Sequence, residues 1–298
     1  MSLPPAIEFV EVGPRDGLQN EAVLVSTADK VELIRRAIAA GARRIEVASF
    51  VNPTKVPQMA DAEAVVAALG RPEGVTRIGL VLNERGAERA LAAGLDQLGA
   101  VAVASDEFGA RNQGQDSGRS VEVAARIIGM AREARISAQV TIAVAFGCPF
   151  AGAVDPVHVV AMARRLAEAG PIEIALADTI GVAVPTEVAA LVTAVREAVA
   201  PLPVRVHFHN TRGTGIANVW AAVQAGASVV DGSIGGLGGC PFAPGAAGNV
   251  ASEDVIYMLD RSGIATGLEL AGLVETARWL GGVMGKEMPS MLAKVGAA

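Results

Sequence analysis

The chain has 298 residues, of which 51% are hydrophobic and 19% charged, and this balance excludes a disordered segment while providing enough apolar surface for a large core. The formal net charge is −6 and no cluster of Lys or Arg stands out, so we expect no nucleic-acid partner. Apolar runs are interrupted well before the length that a membrane span needs, which predicts no membrane partner.

Short β-rich runs alternate with longer amphipathic stretches along the chain, which is typical of repeated βα units on a parallel sheet. The predicted strands are Ile7–Val12, Arg44–Ser49, Arg77–Leu82, Leu98–Ala104, Gln139–Ala145, Glu173–Ala177, Val204–His209 and Val229–Ile234. Their even spacing favours the α/β class and, within it, a (β/α)8 TIM barrel. A doubly wound open sheet is the alternative.

Glycines follow several helical stretches where helices should stop, at Gly41, Gly94, Gly170 and Gly226. No linker rich in Pro, Ser or charge divides the chain, so we expect residues 1–298 to form a single catalytic barrel domain, with extra helices after Ala251. The first residues lack the basic and apolar regions of a signal peptide. We therefore expect a cytoplasmic protein in which Cys148 and Cys240 are free thiols.

In such a barrel the loops after the strands converge on one mouth, where the chemistry collects. Polar and ionisable residues stand at these strand ends, namely Glu11, Arg15, Asp16, Glu46, Asp178, His207 and His209. We therefore expect a reactive site at this rim of the barrel.

His207 and His209 are alternate residues of a strand, so both imidazoles should face the same point. Such a pair suits a divalent metal ion, although each His could instead satisfy a polar contact at the barrel mouth. Asp16 and Asn249, at neighbouring strand ends, are oxygen donors that would complete a site of mixed nitrogen and oxygen ligands. Asp16 alone could equally serve the turn in which it lies.

Glu46 interrupts an otherwise apolar strand, where a buried carboxylate is costly unless it is paired. Arg15 is the expected partner, in an ion pair that is either structural or orients a catalytic Arg. Asp178 follows another strand, where it could act as a general base or cap the next helix.

Residues 235–249 contain six glycines in fifteen positions, which indicates a backbone that can move and approach a ligand closely. Cys240 lies within this segment, so it could reach the substrate as a proton donor when the loop closes. A flexible connector and a phosphate-binding loop are the alternatives. Cys148 lies in a similar Gly-Cys-Pro-Phe sequence, and the residues alone do not rank the two thiols.

Taken together, these segments closely resemble the 3-hydroxy-3-methylglutaryl-CoA (HMG-CoA) lyase family from Ile7 to about Met284. The resemblance is carried by Glu11–Glu21, Ser49-Phe-Val, Val56–Met59, Gly147-Cys-Pro, Ala177–Val182, His207-Phe-His, Gly236–Pro241, Gly248-Asn249 and Glu253-Asp254. It implies a metal-dependent barrel that cleaves an acyl-CoA thioester, HMG-CoA, to acetyl-CoA and acetoacetate by a retro-Claisen reaction. A Claisen-condensing synthase and a non-catalytic metal-binding barrel are less favoured alternatives.

The resemblance also implies roles for individual residues. Mg²⁺ or Mn²⁺ would be bound by Asp16, His207, His209 and Asn249. Arg15 would stabilise the enolate with support from Glu46, and Asp178 and Cys240 would transfer protons. No residues are assigned to CoA binding, and a homodimer or higher homo-oligomer is compatible with the sequence.

Some positions depart from the family pattern. Asn210-Thr-Arg212 replaces Asp-Thr and an aromatic residue, Ala175 stands where Ser is common, and Asn112-Gln-Gly114 replaces Asn-x-Asn. The predicted metal and proton-transfer residues are intact, whereas those expected around the acyl group differ. A related 3-hydroxyacyl-CoA, citramalyl-CoA-like or with a longer branch, is therefore the alternative substrate.

Overall fold

The computed structural model describes residues 3–239 and 248–296. The strands are β1 (Glu8–Glu11), β2 (Arg44–Ser49), β3 (Thr76–Val81), β4 (Gln97–Val103), β5 (Ser137–Ala143), β6 (Ile174–Asp178), β7 (Val204–Phe208) and β8 (Val229–Gly232). They close into a parallel barrel in chain order. The predicted (β/α)8 barrel is confirmed, and the open-sheet alternative is wrong because β8 pairs in parallel with β1.

Helices follow the strands and surround the barrel. They are α1 (Thr27–Ala39), α2 (Ala62–Leu69), α3 (Glu84–Ala92), α4 (Asp106–Asn112), α5 (Ser117–Glu133), α6 (Pro156–Ala167), α7 (Pro185–Val199), α8 (Gly215–Gln224), α9 (Ser252–Arg261), α10 (Leu270–Met284) and α11 (Met291–Val295). The predicted helices after Ala251 are thus present as α9, α10 and α11. Within the described ranges, none of the helices has both the length and the apolar composition to cross a bilayer.

The predicted helix stops are confirmed by the backbone. Gly41, Gly94, Gly170 and Gly226 have φ angles of 99°, 76°, 77° and 97°, which residues with a Cβ atom rarely adopt. Each lies just beyond a helix end, so the chain reverses there and enters the next strand.

The interior of the barrel contains a group of buried charges. Arg44, Glu46, Glu173, Arg205 and Asp231 are all less than 9% exposed. At one end of the group, the Arg44 guanidinium donates to both carboxylate oxygens of Glu173, at 2.9 and 3.0 Å. Because buried charges are tolerated only when they are paired and hydrogen-bonded, this network must form together with the barrel.

Candidate active site

The chain leaves β1 through a single π-helical turn, Gly13–Gly17, which carries Arg15 and Asp16. Glu11 holds this turn in place, because its carboxylate accepts hydrogen bonds from Gly13 N at 2.7 Å and from Ile234 N at 3.0 Å. Glu11 is fully buried, and this burial raises its pKa to about 8. The residue therefore links the loops after β1 and β8 and does not line the cavity described below.

His207 in β7 and His209, directly after the strand, both face Asp16. His207 Nε2 and His209 Nε2 each lie 3.9 Å from Asp16 Oδ2. These separations are too long for hydrogen bonds but allow one ion to contact both atoms, since Mg²⁺ ligands on opposite sides of the ion are roughly 4.2 Å apart. The three side chains offer ligand atoms within 4.8 Å of one another. The structure thus brings together three of the four predicted metal ligands in a group that could hold a cation.

Asn249, the fourth predicted ligand, reaches the same point from beyond β8. An isolated antiparallel bridge joins it to His209, and Val250 N donates to Phe208 O at 3.0 Å. The Asn249 Nδ2 group donates to Asp16 Oδ2 at 2.8 Å and to Leu237 O at 3.0 Å. Both of these partners are acceptors, which fixes the orientation of the amide.

The Asn249 Oδ1 atom is left buried, and it has no hydrogen-bond partner among the described residues. Leaving a buried carbonyl oxygen unpaired is costly. A cation beside Asp16 and the two histidines would satisfy this oxygen. The donor set of two imidazoles, a carboxylate and an amide oxygen therefore fits a divalent metal ion.

Gly238 allows Asn249 to take this position. Its φ is +114°, and a Cβ atom added there would lie 2.3 Å from Asn249 Nδ2. We expect Gly238→Ala to displace the amide and to weaken Mn²⁺ binding about ten-fold, as loss of a supporting contact commonly does. Gly263→Ala is the matched control for calorimetric titration, because Gly263 has a φ of +78° but nothing within 4 Å of the added atom. Equal Mn²⁺ affinities in the two variants would contradict this role of Gly238.

Arg15 is held by the predicted partner. Its Nε donates to Glu46 Oε2 at 2.6 Å, Nη2 binds the same oxygen, and Nη1 binds Asp16 Oδ1. Arg15 and Glu46 are 8% and 2% exposed. Burial alone would raise the pKa of Asp16, but the Arg15 guanidinium, together with the imidazoles, holds it well below its usual range. Asp16 therefore stays ionised, as a metal ligand must be.

Asp231 of β8 orients His207 and was missed in the sequence analysis. Asp231 Oδ1 lies 2.8 Å from His207 Nδ1, so Nδ1 carries the proton in the neutral imidazole and the Nε2 lone pair faces Asp16. The sequence does contain a signal for Asp231, because a carboxylate interrupts the apolar strand Val229–Gly232. The same reasoning indicated that Glu46 is buried and paired. The partner of Asp231 could not be predicted, because that depends on how β7 and β8 lie side by side.

The two histidines should titrate differently. Burial alone would lower the pKa of His207, but the Asp231 carboxylate raises it above its usual value. Burial, followed by the neighbouring His207, lowers the pKa of His209 to about 4. As the pH falls, His207 is therefore protonated first, whereas His209 stays neutral until strongly acidic pH.

Metal affinity should consequently fall with pH along a single-proton slope, because a protonated imidazole cannot bind a metal. Below the pKa of His207, we expect Mn²⁺ binding to weaken about ten-fold for each pH unit. Titration calorimetry between about pH 8 and pH 5 measures this slope across the histidine range. A slope of two protons, or a flat profile, would contradict the assignment of the two imidazoles.

Asp178 lies at the end of β6 but is not among the residues that line the cavity described below. It is fully buried, and its two carboxylate oxygens accept hydrogen bonds from Val182 N at 2.9 Å and Ala183 N at 3.0 Å. Burial raises its pKa. The alternative that it caps the next helix is wrong, because Val184 precedes the first residue of α7. Its predicted part in proton transfer stays a prediction.

The predicted proton donor Cys240 lies outside the described residues. Cys148 is 3% exposed and free, and its Sγ accepts a hydrogen bond from Ser105 Oγ at 3.0 Å. Cys148 does not line the cavity beside the histidines. Its contacts indicate a structural role after β5.

A cavity of about 210 Å³ opens at this end of the barrel. Its polar lining includes three carboxylates, two guanidinium groups and two imidazoles, from Arg15, Asp16, Glu46, Arg205, His207, His209 and Asp231. Its apolar lining includes Leu80, Leu82, Val101 and Phe108. The cavity thus combines a charged site, able to hold a cation, with an apolar surface.

Comparison with known proteins identifies the family. The HMGL-like family model matches residues 6–280. The chain belongs to this family. The (R)-citramalyl-CoA lyase of Chloroflexus aurantiacus is 42% identical over 98% of this chain and 95% of that protein. The 3-hydroxy-3-isohexenylglutaryl-CoA/hydroxy-methylglutaryl-CoA lyase of Pseudomonas aeruginosa is 42% identical over 99% of this chain and 98% of that protein.

A solved structure leads to the same family. The crystal structure of hydroxymethylglutaryl-CoA lyase from Pseudomonas aeruginosa superimposes with a TM-score of 0.95 at 41% identity, and covers 99% of this chain and 98% of that chain. The resemblance to HMG-CoA lyases is therefore confirmed. This HMGL-like protein is a carbon–carbon lyase.

The departures from the family pattern occupy different places in the HMGL-like barrel. Arg212 Nη1 donates to Ile180 O and Gly181 O, both at 2.9 Å, so it joins the loops after β6 and β7. Ala175 is fully buried in β6, whereas Asn112 lines the cavity. Asn112, the first Asn of the family's Asn-x-Asn, is therefore placed to contact a substrate.

Proposed function

We propose that this HMGL-like protein is a divalent-metal-dependent lyase that cleaves HMG-CoA to acetyl-CoA and acetoacetate. The proposal is carried by one observation: ligand atoms of Asp16, His207 and His209 lie within 4.8 Å of one another, in the cavity that also contains the Arg15 guanidinium. Membership of a lyase family supports the reaction type.

Asp16, His207, His209 and Asn249 would hold Mg²⁺ or Mn²⁺. These ions accept carboxylate, carbonyl and imidazole ligands and leave positions open for a substrate. The bound ion would supply Lewis acidity that lowers the pKa of the tertiary hydroxyl of the substrate. Within the chain, Asp231 keeps the His207 ring in the orientation that this site needs, through the 2.8 Å contact with Nδ1.

Arg15 would stabilise the enolate. When the tertiary hydroxyl loses its proton, the bond between C2 and C3 breaks and its electron pair moves onto the thioester, which becomes an enolate. Three of the N–H groups of Arg15 point to Glu46 and Asp16, which leaves two of its five for a substrate oxygen. Glu46 fixes the plane of the guanidinium, so these donors are oriented before the charge develops.

Two proton transfers complete the reaction, one from the hydroxyl and one to C2 of the enolate, which becomes the methyl group of acetyl-CoA. Cys240 and Asp178 are the residues that we propose for these steps. Burial favours the protonated form of Asp178. Its oxygens accept hydrogen bonds from the Val182 and Ala183 N–H groups, which hold the carboxyl group in place.

A related 3-hydroxyacyl-CoA is the second candidate substrate. Relatives at the same 42% identity are named for citramalyl-CoA and for isohexenylglutaryl-CoA. The apolar lining formed by Leu80, Leu82, Val101 and Phe108 would accommodate an apolar branch at C3. The reaction would be unchanged, because the residues around the cation and the enolate would serve each of these thioesters equally.

The test is product analysis of the purified protein with Mn²⁺ and each thioester in turn. The proposal predicts acetyl-CoA and acetoacetate from HMG-CoA, with the highest kcat/KM of the three compounds. A higher kcat/KM for (R)-citramalyl-CoA or the isohexenyl compound would change the substrate and keep the mechanism. If none of the thioesters is cleaved with Mn²⁺, or with Mg²⁺ in its place, the proposed function is wrong.

A further inference from the structure

Arg205 is a buried cation beneath the candidate metal ligands. It lies two residues before His207 in β7, so its side chain enters the barrel from the same face of the strand. It is 2% exposed, and its guanidinium donates to Gln139 Oε1 at 3.0 Å and Thr141 Oγ1 at 3.1 Å. A cation so deeply buried needs anionic partners.

Three buried carboxylates surround this guanidinium. Arg205 Nε lies 3.4 Å from Asp231 Oδ2 and 3.6 Å from Glu173 Oε1, and Nη2 lies 3.7 Å from Glu46 Oε1. Glu173 is already held by Arg44. Arg205 is thus shared between Asp231 and Glu46, which also contact the site.

Asp231 and Glu46 each use their other oxygen for a site residue. Asp231 Oδ1 contacts His207 Nδ1, and Glu46 Oε2 accepts from Arg15. A single guanidinium therefore lies at ion-pair distance from the far oxygen of both carboxylates, and Glu46 Oε1 also accepts a hydrogen bond from Gln139 Nε2 at 3.2 Å. The buried Arg205 Nε has no hydrogen-bond partner among the described residues, so its link to Asp231 is electrostatic. Asp231 orients a candidate metal ligand, and Glu46 orients Arg15, the candidate hydrogen-bond donor to the enolate. Without this charge, both buried carboxylates would lose a compensating cation, which is costly in a dry interior.

We propose that Arg205 is a positioning residue for the lyase reaction, setting His207 through Asp231 and Arg15 through Glu46. The proposal rests on the proposed function for its catalytic part. It goes beyond the ligand set, because Arg205, although it is among the residues that line the cavity, would act on metal affinity and turnover through Asp231 and Glu46.

Arg77 provides a matched control in the same barrel. It is also 2% exposed, lies in β3, and pairs with Asp96 through Nε at 2.7 Å and Nη2 at 2.9 Å. It does not line the cavity. A purely structural role would make Arg205 and Arg77 equivalent in their effects.

The experiment compares Arg205→Met, Arg205→Lys and Arg77→Met for kcat, KM, Mn²⁺ affinity and melting temperature. We expect Arg205→Met to lower kcat about 100-fold and Mn²⁺ affinity about ten-fold, with KM within about three-fold. The reason is that Asp231 and Glu46 would no longer be held in the positions that orient His207 and Arg15. Arg205→Lys keeps the positive charge but lacks the planar set of guanidinium donors, so it should recover part of both losses. Arg77→Met should lower only the melting temperature.

The proposal is overturned if Arg205→Met and Arg77→Met change kcat and Mn²⁺ affinity by equal factors. It is also overturned if Arg205→Lys matches the wild type in both, which covers the case in which Arg205→Met does not fold. Mn²⁺ affinity is measured without substrate, so it separates this proposal from the proposed function. If the wild type does not cleave HMG-CoA, the Mn²⁺ affinities still test whether Arg205 sets His207 through Asp231. The effect on Arg15 is then measured as kcat with the thioester that the wild type prefers.

Discussion

His207→Ala should lower kcat/KM by at least about 1,000-fold, equivalent to about 4 kcal/mol of transition-state stabilisation. The substitution removes Nε2, one of two nitrogen donors 3.9 Å from Asp16 Oδ2. It also leaves the buried Asp231 carboxylate without the imidazole that it holds at 2.8 Å. Both changes would misplace a cation that still binds, so steady-state kinetics at saturating Mn²⁺ should show the loss mainly in kcat.

His158→Ala is the matched control for this experiment. His158 is the remaining one of the three histidines and is exposed in α6. It should keep wild-type kinetics within about two-fold, as surface substitutions usually do. Wild-type kcat/KM in His207→Ala would remove the basis of the metal-dependent mechanism, whereas equal losses in both variants would indicate damage unrelated to the site.

Arg15→Gln should lower kcat about 100-fold to 1,000-fold while changing KM by only a few-fold, because the enolate develops its charge after the thioester has bound. The Arg15 guanidinium binds Glu46 and Asp16 and still has N–H groups for a substrate. Glutamine has too few donors to do both. Arg15→Lys should fall between this variant and the wild type, since one ammonium group cannot replace the planar donors.

The control for Arg15→Gln is Arg77→Gln, which removes a buried guanidinium paired with Asp96 elsewhere in the barrel. Circular dichroism on each variant establishes whether it is folded. A rise in KM with unchanged kcat for Arg15→Gln would mean that the guanidinium binds substrate and transition state equally. That outcome would contradict its assignment to the enolate.

The barrel could be predicted from the sequence because its signals are local. Each strand is a short apolar run followed by a helical pattern, and all eight occur at their predicted places. The strand boundaries shift by a few residues where tertiary contacts end the pairing. For example, β8 ends at Gly232, and Ser233 then forms a bridge with Ala251, so the predicted strand to Ile234 is too long.

The site could be predicted where alternation within one strand was enough. His207 and His209 face one point because β7 is extended, and the costly burial of Glu46 indicated its pairing with Arg15. Arg205 follows the same alternation as the histidines and was nevertheless missed. Its meaning depends on carboxylates from other strands, which a local pattern cannot assign.

Two further features depend on the folded loops. Asn249 reaches Asp16 because its segment pairs with the end of β7, and no spacing in the sequence reveals that bridge. The backbone contacts of Asp178 likewise depend on the conformation of the loop before α7. Sequence reasoning identified these residue types as candidates but could not establish which atoms they contact.

The most direct test of the account is Mn²⁺ electron paramagnetic resonance on protein labelled with ¹⁵N-histidine. Asp16, His207, His209 and Asn249 should bind one Mn²⁺ per chain, with hyperfine coupling to two imidazole nitrogens, and His209→Ala should leave coupling to one. Stoichiometric Mn²⁺ without nitrogen coupling, or no bound Mn²⁺ at neutral pH, would contradict the claim that these side chains hold a single catalytic cation.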